Sequence, residues 1–269
     1  MKLKALTPAH VQGFYRNGLD SGLSPATGQK IHAVLHKALT QAVRWSLVPH
    51  NATEVVKAPR PAPEEIRPLD SEQTKTLLKA AHGDRFEALY VLAVHTGLRQ
   101  GELLGLKWED LDLKNGLLRV KRTLTRRKGR LFLGEPKTKG SRRTVRLTEA
   151  AVESLKGHLA RQLEQMERLG DLYEDQGFVF ATERGTLVNP TNLRKRSFAP
   201  LLENAGLPTI RFHDLRHTCA TLLLSRNVNP KVVSEMLGHT TIAITLDTYS
   251  HILPTMQDGA ARALELALR

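Results

Sequence analysis

A single cysteine, Cys219, stands among 269 residues. One thiol excludes an internal disulfide framework and any zinc module built on several cysteines, and it suits a reducing cytoplasm. Aromatic residues are scarce. Two Trp, four Tyr and seven Phe leave little material for stacking single-stranded bases. Long apolar runs are missing too: stretches such as Ala88 to Val94 fall far short of a bilayer span, so no membrane partner is expected. The opening Met1-Lys2-Leu3-Lys4-Ala5-Leu6-Thr7-Pro8 is charged but has no apolar core behind it, and does not read as a secretory signal. Acidic residues are in deficit as well, 27 against 40 Lys and Arg, which gives a net charge of +13. A polyanion is the first partner to consider.

The excess charge is concentrated. Between Arg119 and Arg146 lie twelve bases: Arg119, Lys121, Arg122, Arg126, Arg127, Lys128, Arg130, Lys137, Lys139, Arg142, Arg143 and Arg146. Glu135 is the one acid among them, so this segment carries +11 and the rest of the chain +2. A solvated charged hairpin would also be basic. Eleven unbalanced charges repel one another unless an anion neutralises them, which favours a surface that contacts phosphates.

Thr7-Pro8 and Ser24-Pro25 read as helix caps followed by proline at the first helical position. The second helix is predicted to run to about Trp45 and to bury Ile31, Val34, Leu35, Ala38, Ala42 and Trp45. Pro59, Pro61, Pro63 and Pro68 mark residues 57–68 as an extended linker between domains at 1–56 and 69–269. Beyond it, Asp70 and Gln73 form a capping-box pattern, and helices are predicted at about 71–82, 84–96 and 99–106. Strands follow at 117–120, 130–133 and 143–147, separated by polar turns holding Gly129 and Gly140. Helices resume at 148–166, 190–205, 213–225, 230–237 and 241–248, with a short strand at 178–180. The class is mainly α with a small antiparallel β-sheet or hairpin. An apolar tail, Ala260 to Leu268, needs a surface to dock on.

Three segments hold residues suited to chemistry: Thr96-Gly97-Leu98-Arg99-Gln100-Gly101-Glu102-Leu103, His213-Asp214-Leu215-Arg216-His217, and Leu237-Gly238-His239 with Tyr249 ten residues on. Each has a plain alternative. Arg99 could be an exposed residue or a structural ion pair with Glu102. His213 and His217, four apart, faintly resemble a zinc helix, but Arg216 beside them would repel a cation and no glutamate follows the first histidine, so no metal is expected. Tyr249 alone would be a packed aromatic. Together they suit a phosphodiester. Two arginines supply planar forks for its non-bridging oxygens, histidines hold an oxygen or pass a proton, and a tyrosine hydroxyl can attack phosphorus. With an ordinary pKa near about 10, that hydroxyl needs neighbouring cations to favour the phenolate.

These motifs, completed by Asp247-Thr248-Tyr249-Ser250-His251, resemble in order and spacing those of the tyrosine recombinases of the phage and transposon integrase family, strongly over about residues 66–255. The resemblance implies a recombinase catalytic domain preceded by a helical core-binding domain, which is expected here to be short and truncated. It implies site-specific cleavage and rejoining of double-stranded DNA through a 3′-phosphotyrosyl link, without cofactor, metal or nucleotide energy. Arg99 and Arg216 would clamp the scissile phosphate, His213 and His239 would complete the cradle, Tyr249 would be the nucleophile, and Lys137, with Lys139 as the alternative, would protonate the leaving 5′ oxygen. Lys121, Arg122, Arg126, Arg127, Lys128, Arg130, Lys139, Arg142 and Arg143 would grip DNA. A homotetramer on two DNA sites, monomeric in solution before assembly, and a place on the cytoplasmic nucleoid belong to the same expectation. A DNA-binding module that competes for sites, and a relaxing topoisomerase with the same chemistry, are the alternatives. The intact catalytic set argues against the first, and the compact length and the spacing from Leu-Gly-His to Tyr249 against the second.

Overall fold

The computed structural model describes residues 2–62, 66–135 and 142–249, together with 264, 265 and 268. Most of the proposed C-terminal tail and both candidate lysines, Lys137 and Lys139, lie outside them. The chain divides into two compact units, 1–65 and 66–269.

The first unit is built on two helices, α1 (Pro8–Asp20) and α2 (Pro25–Arg44). Thr7 and Ser24 cap them by accepting backbone N–H bonds from His10 and Thr27. Their shared core is Val11, Tyr15, Leu39 and Ala52, with Ile31, Leu35 and Val56 packed against it. The buried face of α2 therefore differs from the expected one. Ile31, Leu35, Leu39 and Ala42 point inward, whereas Val34 and Trp45 are 69% and 66% exposed and Ala38 is exposed too. Apolar positions on α2 form two adjoining stripes, and α1 together with the segment around Ala52 covers one of them.

In the second unit, α3 (Ser71–Ala80) starts from the Asp70/Gln73 capping box, in which each side chain accepts the other's backbone N–H. The apolar run noted above becomes α4 (Glu87–Thr96), a helix buried on nearly every side: Ala88, Leu89, Tyr90, Leu92, Ala93, Val94 and Thr96 are all inaccessible. A helix that is apolar all round needs neighbours all round. It has them in α6 (Glu149–Leu169) and α9 (Asp214–Ser225). The short α5 (Gln100–Leu104) follows it directly.

The β region is arranged differently from the three consecutive strands expected. Strands β1 (Leu111–Asp112), β2 (Leu117–Val120) and β5 (Arg143–Arg146) form one antiparallel sheet in the order β1-β2-β5, while β3 (Thr123–Arg127) and β4 (Arg130–Gly134) form a separate hairpin. Leu118 stands opposite Val145, and Leu124 opposite Leu133. Lys128 and Gly129 both have positive φ, 46° and 81°, which suits a two-residue turn matched to strand twist. Position 178 joins Lys107 only through an isolated bridge rather than a strand. The expected helix at 190–205 is one continuous run with a π-turn at Arg194–Phe198 between α7 (Pro190–Leu193) and α8 (Ala199–Asn204). The last helices are α10 (Pro230–Leu237) and α11 (Ile242–Thr248). The architecture is mainly helical with small antiparallel sheets. No helix among the described residues is long and apolar enough to cross a membrane.

Candidate active site

The three motifs meet at the C-terminal end of α10. A helix end exposes carbonyls without intrahelical partners and carries partial negative charge. Here successive carbonyls each accept from a different guanidinium. Met236 O accepts from Arg143 Nε at 2.6 Å, Leu237 O from Arg216 Nη1 at 2.7 Å, and Gly238 O from Arg99 Nη2 at 3.3 Å. Gly238 makes the convergence possible. It sits in the left-handed region at φ 70°, and a Cβ there would lie 2.8 Å from Arg143 Nη1. Gly97 has the matching role at the end of α4: at φ 61° its Cβ would strike Leu237, and its carbonyl accepts from Arg216 Nη1 at 2.9 Å.

Arg99 occupies the cap position of α5, where its backbone N–H donates to Glu102 Oε2 at 3.0 Å and its Nη1 to Oε1 at 2.9 Å. Its side chain remains 39% exposed. Arg216 is buried on α9. Its Nη2 has no hydrogen-bond acceptor among the described residues. An unsatisfied buried donor costs about 1–3 kcal/mol, and more when charged. An anionic oxygen would remove that cost. Burial pushes the Arg216 pKa down to about 9, and the nearby Arg99 charge acts in the same direction, so the group stays cationic at neutral pH.

Asp214 accepts from the backbone N–H of Arg211 at 2.8 Å and pairs with its guanidinium. That closes the turn leading into α9 and places His213 at its cap position. Burial, then Arg216 and Arg99, lower the His213 pKa. Burial pushes His239 down to about 4, helped by the same two arginines, and its Nδ1 is 2.7 Å from Thr245 Oγ1. Tyr249 ends α11 and is packed among Ala220, Leu224, Val233 and Leu237, with 1% exposure. Its hydroxyl lies 2.9 Å from His217 Nδ1. Burial pushes the phenol up to about 12, and the Arg216 charge offsets this only in part. The expected phenolate is therefore disfavoured in this arrangement. His217, pushed down to about 4 by burial and then by His213, is a neutral imidazole at physiological pH. Sequence spacing gives no sign of this partnership with Tyr249, 32 residues away; the one local signal is that His217 closes the His213-Asp214-Leu215-Arg216-His217 motif.

The basic residues separate into two groups. Arg126, Arg127, Lys128 and Arg130 are exposed on the β3–β4 hairpin, and among the described residues none of them is ion-paired. Lys121 and Arg122 both pair with the buried Asp110, and Arg122 also pairs with Glu109. Arg142 pairs with Glu135 at 2.6 Å. Arg143 departs furthest from the surface role expected of it: its side chain is 7% exposed and bound to the buried Glu102 at 2.9 Å. A cleft of about 690 Å³ runs past Arg119, Lys121, Arg122, Arg142 and Arg143.

Residues 67–256 match the model of the phage integrase family. A tyrosine recombinase XerC-like protein of Caldanaerobacter subterraneus is 36% identical over 98% of this chain and 72% of its own length. The ICEBs1 integrase of Bacillus subtilis is 26% identical, again over 98% and 72%. Among solved structures, the Tn1549 transposon integrase in complex with a circular intermediate DNA superposes with a TM-score of 0.81 at 22% identity, over 97% of this chain and 86% of that one. The XerH site-specific recombinase bound to its difH substrate superposes with a TM-score of 0.70 at 22% identity, over 98% and 74%. Coverage of most of the chain by the family model, and 36% identity along nearly all of it, place this protein in the phage integrase family of tyrosine recombinases.

Proposed function

We propose that this recombinase cuts and rejoins double-stranded DNA by attack of Tyr249 on a phosphodiester clamped by Arg99 and Arg216. The observation that carries the reading is the buried Arg216 Nη2 without an acceptor among the described residues, beside an Arg99 that reaches solvent. In the forward step the Tyr249 Oη–phosphorus bond forms and the phosphorus–O5′ bond breaks. The product is a 3′-phosphotyrosyl link and a 5′-hydroxyl. Lys137, with Lys139 as the alternative, supplies the proton to O5′, and the phenolic proton has a neutral acceptor in His217 Nδ1, 2.9 Å away. His213 and His239 hold phosphate oxygens. Arg99 and Arg216 stabilise the charge that grows on the pentacoordinate phosphorus. Attack of a 5′-hydroxyl on the phosphotyrosine reverses the bond changes, so the bond energy is conserved and neither metal nor nucleotide is consumed.

The test is capture of the covalent intermediate. A nicked duplex with randomised flanks loses the short strand carrying the 5′-hydroxyl after cleavage, which prevents rejoining. A protein–DNA adduct that survives denaturing electrophoresis and forms equally with EDTA is expected, and sequencing the captured DNA yields the site. Absence of any adduct, or one abolished by the chelator, removes the reading.

Binding to DNA is attributed mainly to the exposed hairpin. Replacing Arg126, Arg127, Lys128 and Arg130 by Gln should lower the slope of log affinity against log salt by about 3 to 4, since each phosphate contact contributes about 0.9. An unchanged slope would place the phosphate contacts elsewhere. Two bound sites bridged by four copies of the chain, acting on nucleoid DNA, complete the proposal. Analytical ultracentrifugation of the protein alone and on the captured duplex would check that stoichiometry.

A further inference from the structure

Three arginines and one carboxylate share the end of α10, so the cluster of Arg99, Arg143, Arg216 and Glu102 carries a net charge of +2. How Glu102 divides its two oxygens decides how much of that charge reaches a substrate. Glu102 is 4% exposed. Burial pushes its carboxyl up, but hydrogen bonding and charge from Arg143, followed by Arg99, outweigh this and hold it below the usual carboxylate range. It is therefore a permanent anion facing two cations. Arg143 engages both of its oxygens, Oε2 from Nη2 at 2.9 Å and Oε1 from Nη1 at 3.2 Å. The Arg99 side chain reaches Oε1 through Nη1, while its Nη2 is directed to Gly238 O.

We propose that Arg143 is a positioning residue that keeps Arg99 available to the scissile phosphate by occupying Glu102. A guanidinium and a carboxylate prefer a two-pronged pair. If Arg143 were lost, Glu102 would offer both oxygens to Arg99, which is the nearer remaining cation. Arg99 would then turn both terminal nitrogens inward, and its charge would be spent on the carboxylate instead of the phosphate. Arg143 blocks that pairing twice. It fills the carboxylate, and through its bond to Met236 O it braces the carbonyl next to those that hold Arg216 and Arg99. Its burial at 7%, against 39% for Arg99, fits an internal brace beside a group that reaches solvent. The inference rests on the phosphotyrosyl reading above and adds a residue to it.

The experiment measures DNA affinity and single-turnover adduct formation on the captured nicked duplex, with the full chain. If the wild-type protein forms no adduct, the parent reading fails and this proposal falls with it. Given wild-type capture, Arg143→Lys is expected to keep the affinity and salt slope within about twofold and to slow adduct formation about 10- to 100-fold, as a misplaced catalytic group does. Adding Glu102→Gln should restore part of that rate, because the amide no longer draws Arg99 inward. A purely structural brace predicts the opposite, a double variant slower than the single one, and that result overturns the proposal. So does an unaltered adduct rate in Arg143→Lys. A salt slope lower by about one, with weaker binding, would make Arg143 a phosphate contact and likewise overturn it. Should Arg143→Lys lose its cooperative melting transition, Arg143→Gln, which retains a donor for Met236 O, carries the same comparison.

Discussion

Tyr249→Phe should bind DNA as the wild-type protein does and form no covalent adduct at all. The substitution removes one oxygen and leaves the ring, so the packing against Ala220, Leu224, Val233 and Leu237 is preserved. The cost to folding is the lost bond to His217 Nδ1, about 1 kcal/mol for a typical internal hydrogen bond. The cost to chemistry is total, because no other group is proposed to bond to phosphorus. Denaturing gels of the captured duplex, read beside a filter-binding isotherm, check both halves. An adduct that persists in the variant would take the nucleophile's role away from Tyr249. The resting geometry adds a second expectation. The hydroxyl is buried and paired with His217, and burial raises its pKa to about 12, so a phosphate seated beside it should alter its surroundings. Tyrosine fluorescence or chemical modification of Tyr249 should accordingly change on binding.

Arg216→Lys should lower the adduct rate about 100- to 1000-fold, the usual cost of deleting one preorganised donor at a developing oxyanion. An ammonium cannot replace this fork. One guanidinium nitrogen already serves two carbonyls, of Gly97 and Leu237, at 2.9 and 2.7 Å. The other stays unsatisfied among the described residues. A lysine in that pocket would spend its donors on the carbonyls and present no second edge to a phosphate. Affinity for DNA should fall far less than the rate, since most phosphate contacts are proposed to lie on the hairpin bases. Single-turnover cleavage against Kd separates the two. A rate unchanged from wild type would exclude Arg216 as a clamp.

The helical layout was readable because the relevant signals are local. Asp70 and Gln73 cap α3 as a reciprocal pair, and the apolar run at 88–94 became a helix buried on nearly every side. Where a choice depends on a distant partner, local pattern misleads. Val34, Ala38 and Trp45 have helical spacing as good as that of Ile31, Leu35 and Ala42, yet only Ile31 and Leu35 join the core that α1 shares with Ala52, and only Ala42 among the rest is buried. Strand order behaved in the same way. Gly129 announces a turn, but the identity of the strand opposite β2 is a matter of long-range pairing, and β5 takes that place.

The family was legible in motifs whose residue types phosphate chemistry dictates, and so was the concentration of charge between Arg119 and Arg146. The partner and exposure of each base are set by the tertiary fold. Arg126, Arg127, Lys128 and Arg130 stand in solvent, whereas Lys121 and Arg122 pair with Asp110. Arg143 is bound to Glu102 in the interior, and the Tyr249 hydroxyl is paired with His217. The physical reason is that a side chain's charge is written in its residue type. Its partner depends on which carbonyls and carboxylates the fold brings within about 3 Å.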